Sequence, residues 1–519
     1  MAKKVQKRKG QRNFVGDYET LLKAVQFDYA CCGRFEASGY SEFAGKLYTM
    51  NPSMFQSPTY CDRTLTQMIV HYLRWFQDPN LRLIVGEGAS WREEWNAKAQ
   101  RVDDVLFVTE VHGAAPVRVG DQVVRVNGMT LTDVRPEVER TLCTTVEPLD
   151  VEREDWSVVL TFAKRLTLRD ADGTERVVKT SEPAEGAVEA AAAARPAPTC
   201  VLDASGDVAV LTLRDLSSSA FAQAAQRALP GARAAKRLVI DVRGAQGGSQ
   251  EDIYPLVELV LGPGATWTPA QLFGPAGIVM NYSRHNVDAQ LNELAALRAP
   301  VAKAVAAEDA AAATATADAE ASCEGGASPQ ADGVTQAEGA DSACEAMSHA
   351  ATPVSAATSA QAALSEASAT LADIDAMVDE LRAKRGAGFV HEMTRAEDGY
   401  YADVVFAASA DAPKERSVVV LVDRHTRDGA EWLARAAQAA GFARVAGRAT
   451  AGSLDTACPR IVRLDEDFSL VVPTAVHLAV YEGGSTLGRG IVPDVHVAWT
   501  PEHLERDVDL ERARELASS

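Results

Sequence analysis

Two short runs, RLVIDV at 237–242 and SVVVLV at 417–422, are apolar at almost every position. A strand with one face in water alternates apolar and polar residues, whereas a strand covered on both faces does not. The two runs therefore call for a sheet with helices on each side. Helical patterns accompany them: SSAFAQAAQRAL precedes the first and GAEWLARAAQAAGF follows the second. Strands alternating with helices predict an α/β fold with parallel strands. The stretch between the runs is unlike either. Residues 301–370 hold 27 Ala, ten acidic residues, one Lys, one Leu (Leu364) and no aromatic residue. Such a segment lacks the apolar surface to offset its ordering entropy, so disorder is expected there. It interrupts one α/β domain, because strands of the same buried character lie on both sides of it.

The rest of the chain divides by pattern. Residues 1–13 form a basic tail, with Lys3, Lys4, Lys7, Arg8, Lys9 and Arg12. Residues 14–87 read as helical, from the three-and-four spacing in DYETLLKAVQFDYA and LTQMIVHYLRWFQD. Residues 88–182 change to period two. LFVTEV and DQVVRVNGMTL alternate, Asn127-Gly128 marks a turn, and SVVLTF with RLTLRDADGTERVVKT reads as strands folding back around Asp172-Gly173. A linker follows at 183–198. The α/β core occupies 199–300 and 371–519.

Lys plus Arg is 52 against 72 for Asp plus Glu, a net charge of −20. That balance argues against nucleic acid as a partner, since phosphates need a basic face. No run of 18 apolar residues exists to span a bilayer. The charges at Asp17, Glu19 and Lys23 spoil any signal-peptide core. The chain therefore reads as cytoplasmic, and its eight cysteines, none in a CxxC pair, as reduced thiols.

Four segments occur in a set order: LVIDVRGAQGG at 238–248, VLVDRHTRDGAE at 420–431, VAGRATAGS at 445–453 and LGRGIVPDVHV at 487–497. Together they resemble the C-terminal processing, or tail-specific, serine peptidases and their tricorn-like relatives. VRVGDQVVRVNG at 117–128 resembles the turn and strand of a PDZ domain. The resemblance implies a crotonase- or ClpP-like α/β core, a helical N-terminal region and an inserted PDZ-like β domain. It also implies peptide hydrolysis by a Ser–Lys pair, or by a set with His and acidic groups, without metal or cofactor. The substrate would be a peptide or protein segment in extended conformation.

Amide hydrolysis needs a hydroxyl nucleophile, a base to take its proton and N–H donors for the oxyanion. Gly244, Gly247 and Gly248 match the oxyanion loop, although glycine turns also simply follow buried strands. At the nucleophile position the match places Asp428, with Glu431 on the acid of the following helix. Ser453 falls 25 residues later, where processing peptidases carry Lys, and Asp78-Pro79-Asn80 replaces a segment that often carries His in tricorn-like relatives. An ionised carboxylate is a poor nucleophile toward amides, but at a helix start it serves as an N-cap. Thr426 is the nearest hydroxyl if the register shifts, and Ser453 or Ser249 the candidate in a rearranged site. His425 completes an Asp423–His425–Asp428 cluster that lacks a further metal ligand, while His285 and His391 flank the insertion. Asp103 and Asp104 stand where a PDZ domain would hold a peptide carboxylate and would repel one. Three readings stay open: a non-catalytic peptide- or partner-binding homologue, an active serine peptidase with a displaced nucleophile, and a structural or interaction protein.

Overall fold

A computed structural model describes residues 14–32, 62–74, 76–86, 95–138, 142, 151–170, 172–180, 200–324, 353–392 and 404–519. The chain folds into two compact units, one of residues 1–281 with 389–519 and the other of residues 282–388.

In the first unit, helix Phe14–Lys23 loosens into a π-turn at Ala24–Asp28. Helix Asp62–Arg74 sets Ile69, Tyr72 and Leu73 on one face, against Leu21, Val25 and Tyr29. Tyr29 and Tyr72 each meet Phe76 edge to face, with ring centroids 5.6 and 5.4 Å apart. The region expected to be helical ends differently, because Arg82–Val85 is a strand. Four residues are too few for their period to be read, and pairing with strand Phe468–His477 decides their conformation.

Residues 95–179 carry an antiparallel sheet. Its strands run in the order 95–102, 105–113, 122–126, 165–169, 175–179, with 129–130 beside 122–126. Asn127 and Gly128 have φ of 55° and 92°, as the two-residue turn between 122–126 and 129–130 requires. The hairpin around Asp172-Gly173 forms between 165–169 and 175–179. SVVLTF does not extend it: Ser157–Phe162 is a helix with all six residues buried. A short apolar run without polar alternation fits a buried helix as well as a buried strand. Here fully buried Trp156 and Leu160 anchor it under the sheet.

The main sheet runs in the order 495–496, 444–447, 417–422, 237–241, 209–213, 200–203. Its four pairings from 495–496 to 209–213 are parallel, and 200–203 closes one edge antiparallel. Strands 237–241 and 417–422 are direct neighbours, with Val239 opposite Val419, although nearly 180 residues separate them in sequence. Both faces are covered. Leu238, Ile240, Val418, Val420 and Val422 pack under helices Ser219–Ala234 and Gly429–Ala440. Val239, Val419 and Leu421 pack against Ala513, Leu516 and Ala517 of helix Val508–Ser518. This is the physical origin of the two unbroken apolar runs. EDIYPLVELV forms a helical run that alternates 3₁₀ and α turns rather than one helix. A second sheet joins hairpin 456–463/468–477 to strands Arg82–Val85 and Ile278–Tyr282.

The second unit consists of helices Arg284–Glu324 and Pro353–Lys384. Arg298 grips Asp375 with two bonds of 2.6 and 3.0 Å, and Arg385 grips Asp288 at 2.6 and 2.7 Å. The disorder expected over 301–370 therefore does not hold for 301–324 and 353–370, which are helical; 325–352 lie outside the described residues. Alanine has the strongest intrinsic helix propensity, and a helix satisfies its backbone without a core. The linker expected at 183–198 and the basic tail also lie outside the described residues.

Candidate functional site

The loop 423–428 joins the central strand 417–422 to helix Gly429–Ala440. Asp423 organises it. Its Oδ1 accepts from the Gly244 N–H at 2.9 Å, the His425 N–H at 3.0 Å and the Thr426 hydroxyl at 3.0 Å. Thr426 is fully buried, and its hydroxyl also accepts from the Asp423 N–H at 3.0 Å. It is a turn-locking hydroxyl and does not reach the cleft, which removes it as a displaced nucleophile. His425 accepts at Nε2 from Arg424 at 3.2 Å, and burial pushes its pKa down to about 4. It is an uncharged imidazole at neutral pH.

Asp428 sits at the N-cap position with φ 57° and ψ −127°. A non-glycine residue held there carries about 1–3 kcal/mol of backbone strain. The expectation that its carboxylate caps the helix is not met, since no N–H of helix 429–440 is bonded by it. The strained backbone turns the side chain toward the glycine loop instead. Its Oδ2 accepts from the Gly247 N–H at 2.8 Å and lies 3.2 Å from Arg427 Nε. Gly247 and Gly248 have φ of 73° and 74°, and a Cβ on Gly247 would lie 2.8 Å from the Ser217 side chain. Of the glycine N–H groups expected to serve an oxyanion, that of Gly244 is held by Asp423 and that of Gly247 by Asp428.

Ser453, 3% exposed, accepts from the Asp428 N–H at 2.6 Å and donates to the Glu431 carboxylate. Glu431 is fully buried. It also accepts from the Gly452 and Ser453 N–H groups, both at 2.7 Å, and from the Thr450 hydroxyl. Burial pushes the Glu431 carboxyl upward in pKa, against the pull of these donors. Asn80 donates from Nδ2 to Ser453 O at 2.9 Å and to Thr456 Oγ1 at 3.1 Å, and accepts at Oδ1 from Arg427 at 2.9 Å. It ties the cleft wall together and is no base. Ser249 is exposed, with its hydroxyl on Asp252 at 3.0 Å.

Asn80, Gly248, Ser249, Asp428 and Ser453 thus line one cleft of about 760 Å³. Two further residues line it: Arg427, which lies in the 420–431 segment but is given no role by the resemblance, and His477, which lies in no motif segment and meets Trp432 edge to face at 5.4 Å. Burial pushes the His477 pKa down. His391 is exposed against Tyr481, and His285 belongs to the second unit. Among the described residues no group of three or more His, Cys, Asp or Glu is placed to hold a metal ion.

Asp78 lies beneath Asn80 and is buried. It accepts from Tyr29 OH at 2.8 Å, the Asn80 N–H at 2.8 Å and Thr456 Oγ1 at 3.0 Å, yet burial raises its pKa to about 6. A carboxyl near its ordinary value when unfolded and near 6 when folded binds its proton more tightly in the native state. Native stability then falls as pH rises from about 4 to 6, by up to about 3 kcal/mol. D78N is expected to abolish that slope, measured by urea unfolding across this range; an unchanged slope would place the titration elsewhere.

No helix among the described residues is long and apolar enough to cross a membrane. No curated protein matches the sequence. Among solved structures the fold is similar to that of mature CPAF, with TM-score 0.51 and 10% identity over 97% of this chain and 96% of that one. An s499a mutant of CPAF gives TM-score 0.52 and 13% identity, covering 98% and 97%. The photosystem II D1 C-terminal processing protease is 14% identical over 98% and 97%, with TM-score 0.37. Residues 372–497, which include Asp428, Glu431 and Ser453, match the model of peptidase family S41. Residues 372–497 thus carry the pattern of the S41, or tail-specific, peptidase family.

Proposed function

We propose that this protein is a non-catalytic member of its family that binds an extended peptide or protein segment in the cleft beside Asp428. One observation carries the reading. The residue at the matched nucleophile position is a carboxylate, and it already fills the donor that an oxyanion would need, the Gly247 N–H at 2.8 Å. A negative charge fixed there opposes a second one developing in a tetrahedral intermediate. The matched base position is Ser453, whose hydroxyl is engaged by Glu431 and Asp428.

In this reading the α/β sheet is a crotonase- or ClpP-like core, and residues 88–182 are a PDZ-like module. Asp103 and Asp104 form the two-residue turn between strands 95–102 and 105–113. Asp104 accepts from the Thr132 N–H and hydroxyl, both at 2.9 Å. These roles favour strand addition or a structural role for the module over capture of a C-terminal carboxylate.

The test is chemical. The unmodified protein is expected to show no turnover of unfolded casein or tailed peptides and no labelling by a fluorophosphonate. D428S alone stays unlabelled, because the new hydroxyl lacks a base. D428S/S453K restores hydroxyl and amine at matched positions and is expected to label. Cleavage by the unmodified protein that disappears in S249A or S453A would overturn the proposal in favour of a displaced nucleophile.

A further inference from the structure

A second cavity, of about 570 Å³, adjoins the peptide cleft, and Arg82 and Arg427 line both. Its other permanent cations are Arg74, Lys98, Arg153 and Arg424, and its lining carboxylates are Asp78 and Asp155. His425 also faces it, uncharged at neutral pH. Some of the positive charge is met locally. Arg74 pairs with Asp155 at 2.7 Å, Lys98 with Glu110 at 2.8 Å and Arg427 with Asp428 at 3.2 Å. Arg82 and Arg424 meet no carboxylate at ion-pair distance among the described residues; Arg424 spends its donors on backbone carbonyls and on His425. Asp78, with its pKa raised to about 6, is also the weakest counter-charge present. Six cations against two lining carboxylates and the two outside partners, Glu110 and Asp428, leave the cavity positive by about two charges in a chain of net charge −20.

A recess with low-dielectric walls concentrates such a field, and guanidinium groups match carboxylates by two-point hydrogen bonds. Arg82 and Arg427 form a wall common to the two spaces, so a segment in the cleft lies within reach of the second cavity's cations. We propose that the occupant of the peptide cleft is an acidic segment, whose Asp or Glu side chains enter this second cavity. The inference rests on the peptide-binding reading above and adds to it the chemical class of the peptide. The chain's net charge of −20 disfavours non-specific binding of such a ligand, so recognition depends on local clusters of cations.

Three probes separate the outcomes: an extended decapeptide carrying three aspartates, its asparagine isostere, and inorganic tripolyphosphate. Calorimetric titration of the full chain at low salt is expected to give the aspartate peptide at least a tenfold lower Kd than the isostere. That ratio should shrink between 20 and 300 mM salt, across a range where the Debye length falls from roughly 20 to 6 Å. R82Q and K98Q, neither of which removes a buried hydrogen bond, should each reduce the ratio to less than threefold while leaving the melting temperature unchanged. Equal affinity for the two peptides overturns the acidic preference and leaves peptide binding standing. Binding of neither peptide removes both readings, and tripolyphosphate bound alone would make the cavity a small-anion site.

Discussion

E431A is expected to lose about 3–5 kcal/mol of stability, although Glu431 belongs to a matched catalytic motif and the protein is proposed to lack catalysis. The carboxylate is fully buried and receives two backbone N–H groups and two hydroxyls. The hydroxyls can turn toward other acceptors. The N–H groups of Gly452 and Ser453 cannot, and each buried donor left without a partner costs about 1–3 kcal/mol. The void left by the side chain adds to this. For a core of this size the melting temperature should fall by roughly 10 °C. E431Q keeps one acceptor oxygen but presents an NH₂ to donors, so its loss should lie between that of E431A and zero. Denaturant unfolding of the two variants checks both values. A loss below about 1 kcal/mol in E431A would mean that the 450–453 loop finds its partners elsewhere. The expected ordering makes Glu431 the support that holds Ser453 under Asp428, a structural duty independent of chemistry.

The readable and unreadable parts of this protein divide by how local their causes are. RLVIDV and SVVVLV point to a doubly covered sheet because a strand with two buried faces carries apolar residues in succession instead of in alternation, and the strands are neighbours. Asn127-Gly128 was legible because few residues tolerate positive φ at two successive positions. SVVLTF was not, since an apolar hexapeptide has no period; its helix follows from burial around Trp156. In the alanine-rich segment helix propensity outweighs the lack of apolar surface at 301–324 and 353–370. In the site, motif spacing alone brought Asn80, Gly248, Asp428 and Ser453 to one cleft. It did not reveal that Asp428 turns to Gly247 instead of capping its helix, because that depends on one backbone torsion. Nor did it reveal His477, which reaches the cleft through tertiary packing and belongs to no motif segment, or a role for Arg427 beside Asp428.

R424A is expected to loosen the 95–179 sheet from the main core while leaving the core strands intact. Arg424 lies four residues before Asp428, on the same loop. Its guanidinium donates to Glu154 O at 2.9 Å, Ala99 O at 3.2 Å and Glu152 O at 3.4 Å. One planar fork thus closes three carbonyls on two segments of the sheet module, a geometry that a lysine ammonium cannot reproduce. Removing it leaves those carbonyls without their charged donor, at a cost of about 2–4 kcal/mol. Asp155 keeps its Arg74 partner at 2.7 Å, so no carboxylate is stranded. Other links persist, among them Arg153 to Thr450 O at 2.6 Å and Glu152 to the Trp499 N–H at 2.8 Å, so separation should be partial. Hydrogen exchange is therefore expected to accelerate at least tenfold in 95–102 and 151–156, with little change in 237–241 and 417–422. R424K should behave like R424A rather than like the unmodified protein. Uniform acceleration across both sheets would show that Arg424 supports the core itself. Unchanged exchange in the module would show that the remaining links hold it unaided. If the local acceleration is seen, the loop that carries Asp428 is set in place from outside the core, and whatever binds the 95–179 module has a direct mechanical route to the cleft.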